Sequence, residues 1–285
     1  MKTRNDIQSV RKAMELLCLF THGFPSLGIK EISAMLNLPK GTVHGFARTL
    51  LNTGFLQQNP ETRKYQIGMR IYELGAILAG TLDVNQKATR PVQELAKRTR
   101  LVCHIAIWDG DSALVTLNVD PRFNPKSVYQ MGPRVSAHCS AVGKALLAYL
   151  QPQEIKTYLE QCKLARYTSK TIIRKEQLLK ELEEVRLRGY AIDREETMLG
   201  LTCIGAPILG RGGLLVGSIS LSGSSDRILG KQKTGLIKEL LETAGEISRS
   251  VGYSLASLEL PPPQKSGKSR RDEVEGGFPF LRRPS

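Results

Sequence analysis

The chain has 285 residues, of which 41% are hydrophobic and 24% charged; this suits two packed domains and excludes global disorder. Its 26 Gly and 14 Pro are ordinary counts, and no run nears the ~18 apolar residues of a membrane-spanning helix. Lys and Arg outnumber Asp and Glu by 41 to 27, and residues 1–70 hold 10 basic against 4 acidic groups. That density suits a polyanion (nucleic acid first, an acidic membrane surface second), or else plain solubility.

The N-terminus carries no secretory signal: the apolar residues from Ala13 to Phe20 are few, include Glu15 and lack a small-residue cleavage site. From Ser9, the residues Val10, Ala13, Met14, Leu16, Leu17 and Phe20 recur at helical spacing, and His22-Gly23 closes the run. A second, short helix uses Ile29, Ile32, Met35 and Leu36 and ends at Asn37. Pro39 then stands where a first helical position belongs. The third helix buries Val43, Phe46 or Ala47, and Leu50 or Leu51, and Gly54 ends it. Its opposite stripe reads Lys40, Gly41, His44, Gly45, Arg48 and Asn52. Two short strands, Phe55 to Gln58 and Lys64 to Ile67, flank the turn Asn59-Pro60-Glu61-Thr62.

Three helices and a hairpin predict a winged helix-turn-helix, whose third helix enters the DNA major groove. Lys40, with Gly41, Thr42 and the free N–H groups of the helix start, suits phosphate. His44 and Arg48 reach bases or phosphates, and Arg63 and Lys64 lie near the tip of the wing. Two glycines in one helix cost ~1 kcal/mol each against alanine, a cost easier to explain if bare backbone must approach DNA. A winged helix that docks protein instead of DNA shares the same pattern.

Three stretches carry a resemblance: Ser9-Val10-x-x-Ala13-x-x-Leu16-Leu17, Glu31-Ile32-Ser33-x-x-Leu36-Asn37-Leu38-Pro39-Lys40-Gly41-Thr42-Val43-His44, and Tyr65-x-Ile67-Gly68. Together they resemble the IclR family of bacterial transcription regulators. The family usually has Arg where this chain has Gly45, and often Ser where it has Gly41. The missing Arg removes one candidate phosphate or base contact.

Met69 to Asp83 has Ile71, Leu74, Ile77 or Leu78, and Leu82 at helical spacing, a helix that links two domains. Its apolar stripe can pack on its own chain or on a second subunit; the resemblance implies the subunit. Val84 to Arg100 is another helix. The period then changes to two. Leu101 to Trp108 and Ala113 to Val119 flank Asp109-Gly110, a hairpin signal, and Ser127 to Met131 reads as a third short strand. Helices are expected over Ser140 to Leu150, from Pro152, and from Glu176 to Arg188 with Gly189 as its stop. Strands follow at Tyr190 to Arg194, Thr202 to Leu209 and Leu214 to Ser222, then a last helix from about Lys233 to Leu258. Helices interleaved with a largely antiparallel sheet make an α+β sensor-like domain.

The chemistry of the usual catalytic motifs is missing. Gly143-Lys144 lacks the flanking residues of a phosphate-binding loop, Gly210-Arg211-Gly212-Gly213 is no dinucleotide fingerprint, and there is no nucleophile elbow. The cysteines (Cys18, Cys103, Cys139, Cys162, Cys203) are odd in number and form no C-x-x-C pair, and the histidines (His22, His44, His104, His138) form no metal-spaced pair. A disulfide scaffold, a metal site and a cofactor are therefore not expected, and a reduced cytosol is the simpler home.

A ligand site can be argued from strand register. If Arg211-Gly212 is the hairpin turn, symmetric pairing sets Cys203 opposite Ser220 and Leu201 opposite Ser222, with Cys203, Ser220 and Ser222 on one face. Asp193, at the end of the preceding strand, closes the side and accepts a ligand hydroxyl, which favours hydroxy acids over plain diacids. Ser140 to Lys144 opens a helix whose N–H groups can hold a carboxylate. The plainer alternatives are a solvent-facing row of serines and a core cysteine.

The motifs His138-x-Ser140-Ala141-x-Gly143-Lys144-Ala145-Leu146-Leu147-Ala148, Asp193-x-Glu195-Glu196-x-x-x-Gly200-x-x-Cys203-Ile204-Gly205-Ala206-Pro207 and Gly217-x-Ile219-Ser220-Leu221-Ser222-Gly223 extend the resemblance to the family's effector domain. It implies a GAF-like α/β fold with ligand contacts at Ala141 and Val142 through backbone N–H, and at Asp193, Cys203, Ser220 and Ser222. Where the family often has Gly-Ala, this chain has Ala141-Val142, and the bulkier Val142 narrows the site.

The resulting organisation is a winged helix-turn-helix over 1–68, a linker helix over 69–84, an effector-binding and oligomerisation domain over 85–258, and a disordered tail over 259–285. The resemblance implies a cytoplasmic transcriptional regulator, a repressor rather than an activator, acting as a homodimer or dimer of dimers on a double-stranded operator. A small organic acid from a carbon-catabolic pathway would modulate it. The alternatives are a protein-docking winged-helix sensor and a small-carboxylate enzyme using Cys203.

Overall fold

The computed structural model describes residues 6–21, 23–121 and 133–254. The chain divides into two compact units, one up to Thr81 and one from Leu82.

The first unit comprises α1 (Gln8–Leu17), α2 (Ile29–Leu36), α3 (Lys40–Asn52), β1 (Leu56–Gln58), β2 (Tyr65–Ile67) and α4 (Met69–Thr81). Leu16, Ile32, Val43, Ala47, Leu50, Leu56 and Tyr65 form its core. Helix α1 ends at Leu17, ahead of the expected stop at His22-Gly23. At the start of α2, the Glu31 carboxylate accepts the Gly28 N–H at 2.6 Å; at its end Asn37 turns left-handed at φ 51°. Ser33 Oγ donates to the Leu38 carbonyl at 2.6 Å, which holds the tight turn into α3. Pro39 caps α3 from outside, one residue earlier than expected. In the wing, Asn59 Oδ1 accepts the N–H groups of Glu61 and Thr62, and Arg63 takes φ 57° to reverse the chain. No residue of α4 is buried within this single chain: Met69, Tyr72, Leu74, Ile77 and Leu78 all lie exposed.

The second unit holds α5 (Asp83–Thr99), β3 (Val102–Asp109), β4 (Ser112–Val119), β5 (Arg134–Ser136), α6 (Ala141–Leu147), α7 (Pro152–Gln161) and α8 (Lys175–Arg188). Strands β6 (Ala191–Arg194), β7 (Leu201–Leu209) and β8 (Leu215–Ser224) and helices α9 (Ser225–Leu229) and α10 (Lys233–Ser250) complete it. The six strands form one antiparallel sheet in the order β5-β4-β3-β8-β7-β6. Period-two alternation splits each strand between two layers. Ile105, Ile204, Ala206, Ile219 and Leu221 face α5 and α10, where Val92, Leu95, Leu236 and Leu240 meet them. The opposite face packs Ala106 and Ala113 on Val142 and Leu146 of α6, and α7 and α8 form a further cluster with Leu147, Tyr158 and Leu182. Each fully buried Leu or Ile contributes ~1.5–3 kcal/mol by leaving water.

Several expectations need correction. The β7–β8 connection is a 3₁₀ turn over Arg211–Gly213, with Gly212 and Gly213 both at positive φ, and not a two-residue hairpin. The pairing therefore shifts by two residues: Cys203 faces Ser222, and Leu201 faces Ser224. A shift of two preserves side-chain parity, so Cys203, Ser220 and Ser222 still share a face. The last helix ends at Ser250, short of Leu258, and α9 has no counterpart in the sequence reading. The strand expected over 127–131 and the tail over 259–285 lie outside the described residues.

Candidate functional site

In the first unit, α3 presents Lys40, Gly41, Thr42, His44, Gly45 and Arg48 exposed, because Val43, Ala47 and Leu50 occupy the buried stripe. A groove of about 710 Å³ lies between α3 and the wing and is lined by His44, Arg48, Arg63 and Lys64. The fold thus brings together four of the seven residues assigned to DNA; Lys40, Gly41 and Thr42 stand at the N-terminal end of α3, outside the groove lining. Lys30 at the start of α2 joins the groove and was missed, since α2 alone gave no reason to face it toward the wing. Lys64 turns back from the wing, its Nζ 3.0 Å from Glu31 Oε1. The Gly28 N–H first, and then Lys64, hold the Glu31 carboxyl below its ordinary range. A Cβ at Gly41 or Gly45 would meet nothing within 4 Å, so packing within this chain does not demand either glycine.

In the second unit, Ser140 caps α6: its Oγ accepts the Gly143 N–H at 3.2 Å. That leaves the first N–H groups, those of Ala141 and Val142, without an acceptor inside the helix. The helix start presses on the sheet. A Cβ at Gly205 would lie 2.6 Å from the Ala141 carbonyl oxygen, and one at Gly143 would lie 2.4 Å from Ala137 Cα, so only glycine allows the approach at either place. Ser218 Oγ donates to the Val142 carbonyl at 3.1 Å and ties the two layers.

Beneath α6, register aligns Asp193, Cys203 and Ser222 across β6, β7 and β8, and Gly205, Ser220 and His104 in the next row across β7, β8 and β3. All the assigned side chains are on one face. Asp193 is 1% exposed and already engaged: its carboxylate accepts the Glu196 N–H at 2.7 Å and the Thr197 hydroxyl at 2.5 Å. Its first task is to close the 193–197 turn, which leaves lone pairs for one further donor. Burial pushes its pKa up against those hydrogen bonds. Burial likewise pushes the Cys203 thiol up to about 12, so it stays protonated at neutral pH and is a poor nucleophile.

Two further residues, one on this face and one on α6 above it, escaped the sequence reading. His104 Nδ1 lies 3.4 Å from both Ser220 Oγ and Ser222 Oγ. Burial lowers its pKa to about 4, so the ring is neutral. Only the β3–β8 pairing, a contact between strands more than a hundred residues apart, reveals it. Lys144 is the other: its side chain is 1% exposed, and Nζ donates to Glu196 Oε1 at 2.6 Å, to the Ile192 carbonyl and to Glu181 Oε1 at 3.3 Å. One cation thereby joins α6 to β6 and the turn that carries Asp193. Glu196 Oε2 is buried without a partner among the described residues, and burial raises that carboxyl's pKa.

No helix among the described residues is long and apolar enough to cross a membrane, and no cluster of His, Cys, Asp and Glu among them could hold a metal.

Comparison with known proteins agrees with both units. Residues 9–60 match the IclR helix-turn-helix domain, and residues 77–249 match the bacterial transcriptional regulator IclR C-terminal domain. The HTH-type transcriptional regulator XynR of Escherichia coli is 32% identical over 247 residues, covering 87% of this chain and 98% of XynR. The crystal structure of the Thermotoga maritima IclR superposes with a TM-score of 0.69 at 28% identity, over 87% of this chain and 100% of that one. An IclR homologue of Microbacterium hydrocarbonoxydans, crystallised with 4-hydroxybenzoate, shares the fold at a TM-score of 0.73 and 20% identity, over 85% of this chain and 98% of that one. The matched relatives are transcriptional regulators and not enzymes. A winged helix-turn-helix with a basic groove, followed by an α/β effector domain, makes this chain a member of the IclR family of bacterial transcriptional regulators.

Proposed function

We propose that the chain represses transcription from a near-palindromic operator, and that a small organic acid from carbon catabolism releases or retunes that binding. Two winged helices in a homodimer, or a dimer of dimers, contact two half-sites, with their spacing set by the dimer. Lys40, Gly41, Thr42, His44 and Arg48 meet bases and phosphates, while Arg63 and Lys64 hold the flanking backbone. The exposed apolar residues of α4 support the dimer. The protein acts in the cytoplasm, where operator and metabolite meet.

One observation carries the effector reading: Asp193, Cys203, Ser220 and Ser222 share the sheet face on which the start of α6, with the N–H groups of Ala141 and Val142, is packed. The acid's carboxylate sits at the helix start and its hydroxyl or carbonyl on the sheet. The fold neighbour from Microbacterium hydrocarbonoxydans crystallised with 4-hydroxybenzoate, a hydroxylated monocarboxylate. The acid regulates only if it binds the DNA-competent and incompetent states unequally.

The test has two parts. Fragments of the source genome selected on the purified protein at a stated salt concentration should yield a recurring near-palindrome beside transport or catabolic genes. Asp193→Ala and Ser220→Ala should abolish the response to the acid that those genes nominate while operator binding persists. If response survives both substitutions, the effector binds elsewhere; if no fragment is enriched with or without candidate acids, the operator reading fails.

A further inference from the structure

The connection from α7 to α8 carries a charge pattern that neither the operator nor the effector uses. Lys163, Arg166, Lys170, Arg174 and Lys175 fall between residues 163 and 175, and no acidic residue does. Lys170 pairs with Glu195 at 3.1 Å. Lys163, Arg166, Arg174 and Lys175 are exposed and make no ion pair among the described residues. Arg174 stands at the N-cap of α8 without a side-chain hydrogen bond, and Lys175 is the first helical residue. Cations are unfavourable at the positive end of a helix, so forming α8 does not account for them.

A groove of about 570 Å³ opens beside them, lined by Lys163, Arg166 and Lys175 and by the apolar Leu164, Ala165 and Ile173. Its backbone is held in place. The Ala165 carbonyl lies 3.0 Å from His138 Nε2, and Thr171 Oγ1 accepts the Thr168 N–H at 2.8 Å and donates to the Glu196 carbonyl at 2.6 Å. A bare phosphate chain would leave the apolar lining wet, and a small acid would meet only exposed charges, each worth little. The groove suits a segment that sets acids next to large apolar residues.

The chain itself supplies one. Asp272-Glu273-Val274-Glu275-Gly276-Gly277-Phe278-Pro279-Phe280-Leu281 joins three acids to three large apolar side chains and holds no basic residue. Outside the described residues the only other acid is Glu259. Reach is sufficient. The described chain ends at Ser254, Tyr253 lies near Tyr149 just ahead of α7, and the groove begins where α7 ends. The 10 residues of α7 are ~15 Å long, and residues 254–271 reach ~60 Å at full extension.

We propose that residues 272–281 dock in the groove between α7 and α8: Asp272, Glu273 and Glu275 meet Lys163, Arg166 and Lys175, and Phe278, Phe280 and Leu281 cover Leu164, Ala165 and Ile173. The tether lets a weak contact suffice. At an effective concentration on the order of 1 mM, a Kd of ~0.1 mM fills the groove about ten to one.

Limited proteolysis of the full chain tests it. Chymotrypsin cleaves after Phe280, and the intact mass reads the loss of residues 281–285. When docking is fast relative to cleavage, the docked fraction slows the cut in proportion. Arg166→Glu with Lys175→Glu should therefore speed cleavage about ten-fold over the wild type, while trypsin cleavage after Lys265 keeps its rate. Adding Asp272→Lys and Glu275→Lys to that variant reverses both sets of charges and should slow the cut again. Equal rates in the wild type and the groove variant overturn the proposal, as does a charge-swapped chain that stays fast. Equal rates with weakened operator binding would overturn it in favour of DNA as the partner of these cations. Should the groove variant not fold, Phe278→Ser decides, since it leaves the groove and the Phe280 site intact: cleavage must accelerate, and a wild-type rate overturns the docking.

Discussion

Lys64 on the wing and Glu31 on α2 are ion-paired across the groove that α3 also lines, Nζ to Oε1 at 3.0 Å. The wing lysine proposed to meet DNA therefore already has a carboxylate partner, and on that proposal operator binding exchanges one for the other. Glu31→Gln removes the competing charge while its amide oxygen still accepts the Gly28 N–H. Operator affinity should rise several-fold, and the slope of log affinity against log salt should steepen by up to ~0.9 as Lys64 gains a phosphate contact. Lys64→Ala should flatten the same slope. Filter binding across a salt series measures both, and an unchanged slope in both variants would remove Lys64 from the interface.

Gly41 and Gly45 face open space in a helix. Alanine at either position should stabilise the folded chain by ~0.5–1 kcal/mol, because the unfolded state loses freedom and the helix gains propensity. If bare backbone is needed at the bases, the same substitutions should weaken operator binding. Urea unfolding and operator titration on the same samples separate the two effects; stabilised variants with full affinity would show that the glycines are not there for DNA.

The buried Lys144–Glu196 pair yields a stability prediction of opposite kind. Lys144→Met leaves a buried carboxylate uncompensated and should cost ~3–5 kcal/mol. Lys144→Met combined with Glu196→Leu removes both charges and should recover much of that loss, because an apolar pair needs no desolvation. Chemical denaturation of the two variants tests this, and a double variant no more stable than the single one would point to packing, not charge, as the role of Lys144.

Burial holds the pKa of His104 near 4, below its ordinary 6.5, and lowers that of His138 as well. Between those two values the unfolded chain binds a proton that the folded chain refuses. Stability is then complete above pH 6.5 and declines as pH falls toward 4. With some discount for the residual exposure of the ring, His104 should account for ~1–2 kcal/mol of lost stability by pH 5. Glu195, held near pH 2 by Ser225, Gly200 and Lys170, loses its own contribution only below its ordinary range of about 4.5, so the windows are separable. Urea unfolding at pH 7 and pH 5 should show a smaller pH dependence in His104→Phe than in the wild type. An identical dependence would mean that the ring titrates normally.

The winged helix was legible because its determinants are local. Asn37 ends α2 by turning left-handed, and the Val43, Ala47 and Leu50 stripe buries one face of α3. Exposure of His44 and Arg48 then follows from helical period alone. The sheet was legible element by element for the same reason. The face shared by Cys203, Ser220 and Ser222 survived a wrong turn assignment only because the error was an even number of residues. The ion pair of Lys64 with Glu31, 33 positions away, was not legible, since it depends on how the wing folds back over α2.

The sequence by itself determined the two units, the helix-turn-helix with its exposed α3 stripe and the polar set on β6, β7 and β8, all properties of periodicity, capping and charge over neighbouring residues. Only the tertiary structure decided what those groups meet. It put β3 beside β8 and so brought His104 under Ser220, and it ran Lys144 from α6 into the turn after β6. Non-local strand pairing and buried charge partners are selected by the packing of the whole domain, where each polar group must find a mate once water is gone. No short window of sequence carries that condition.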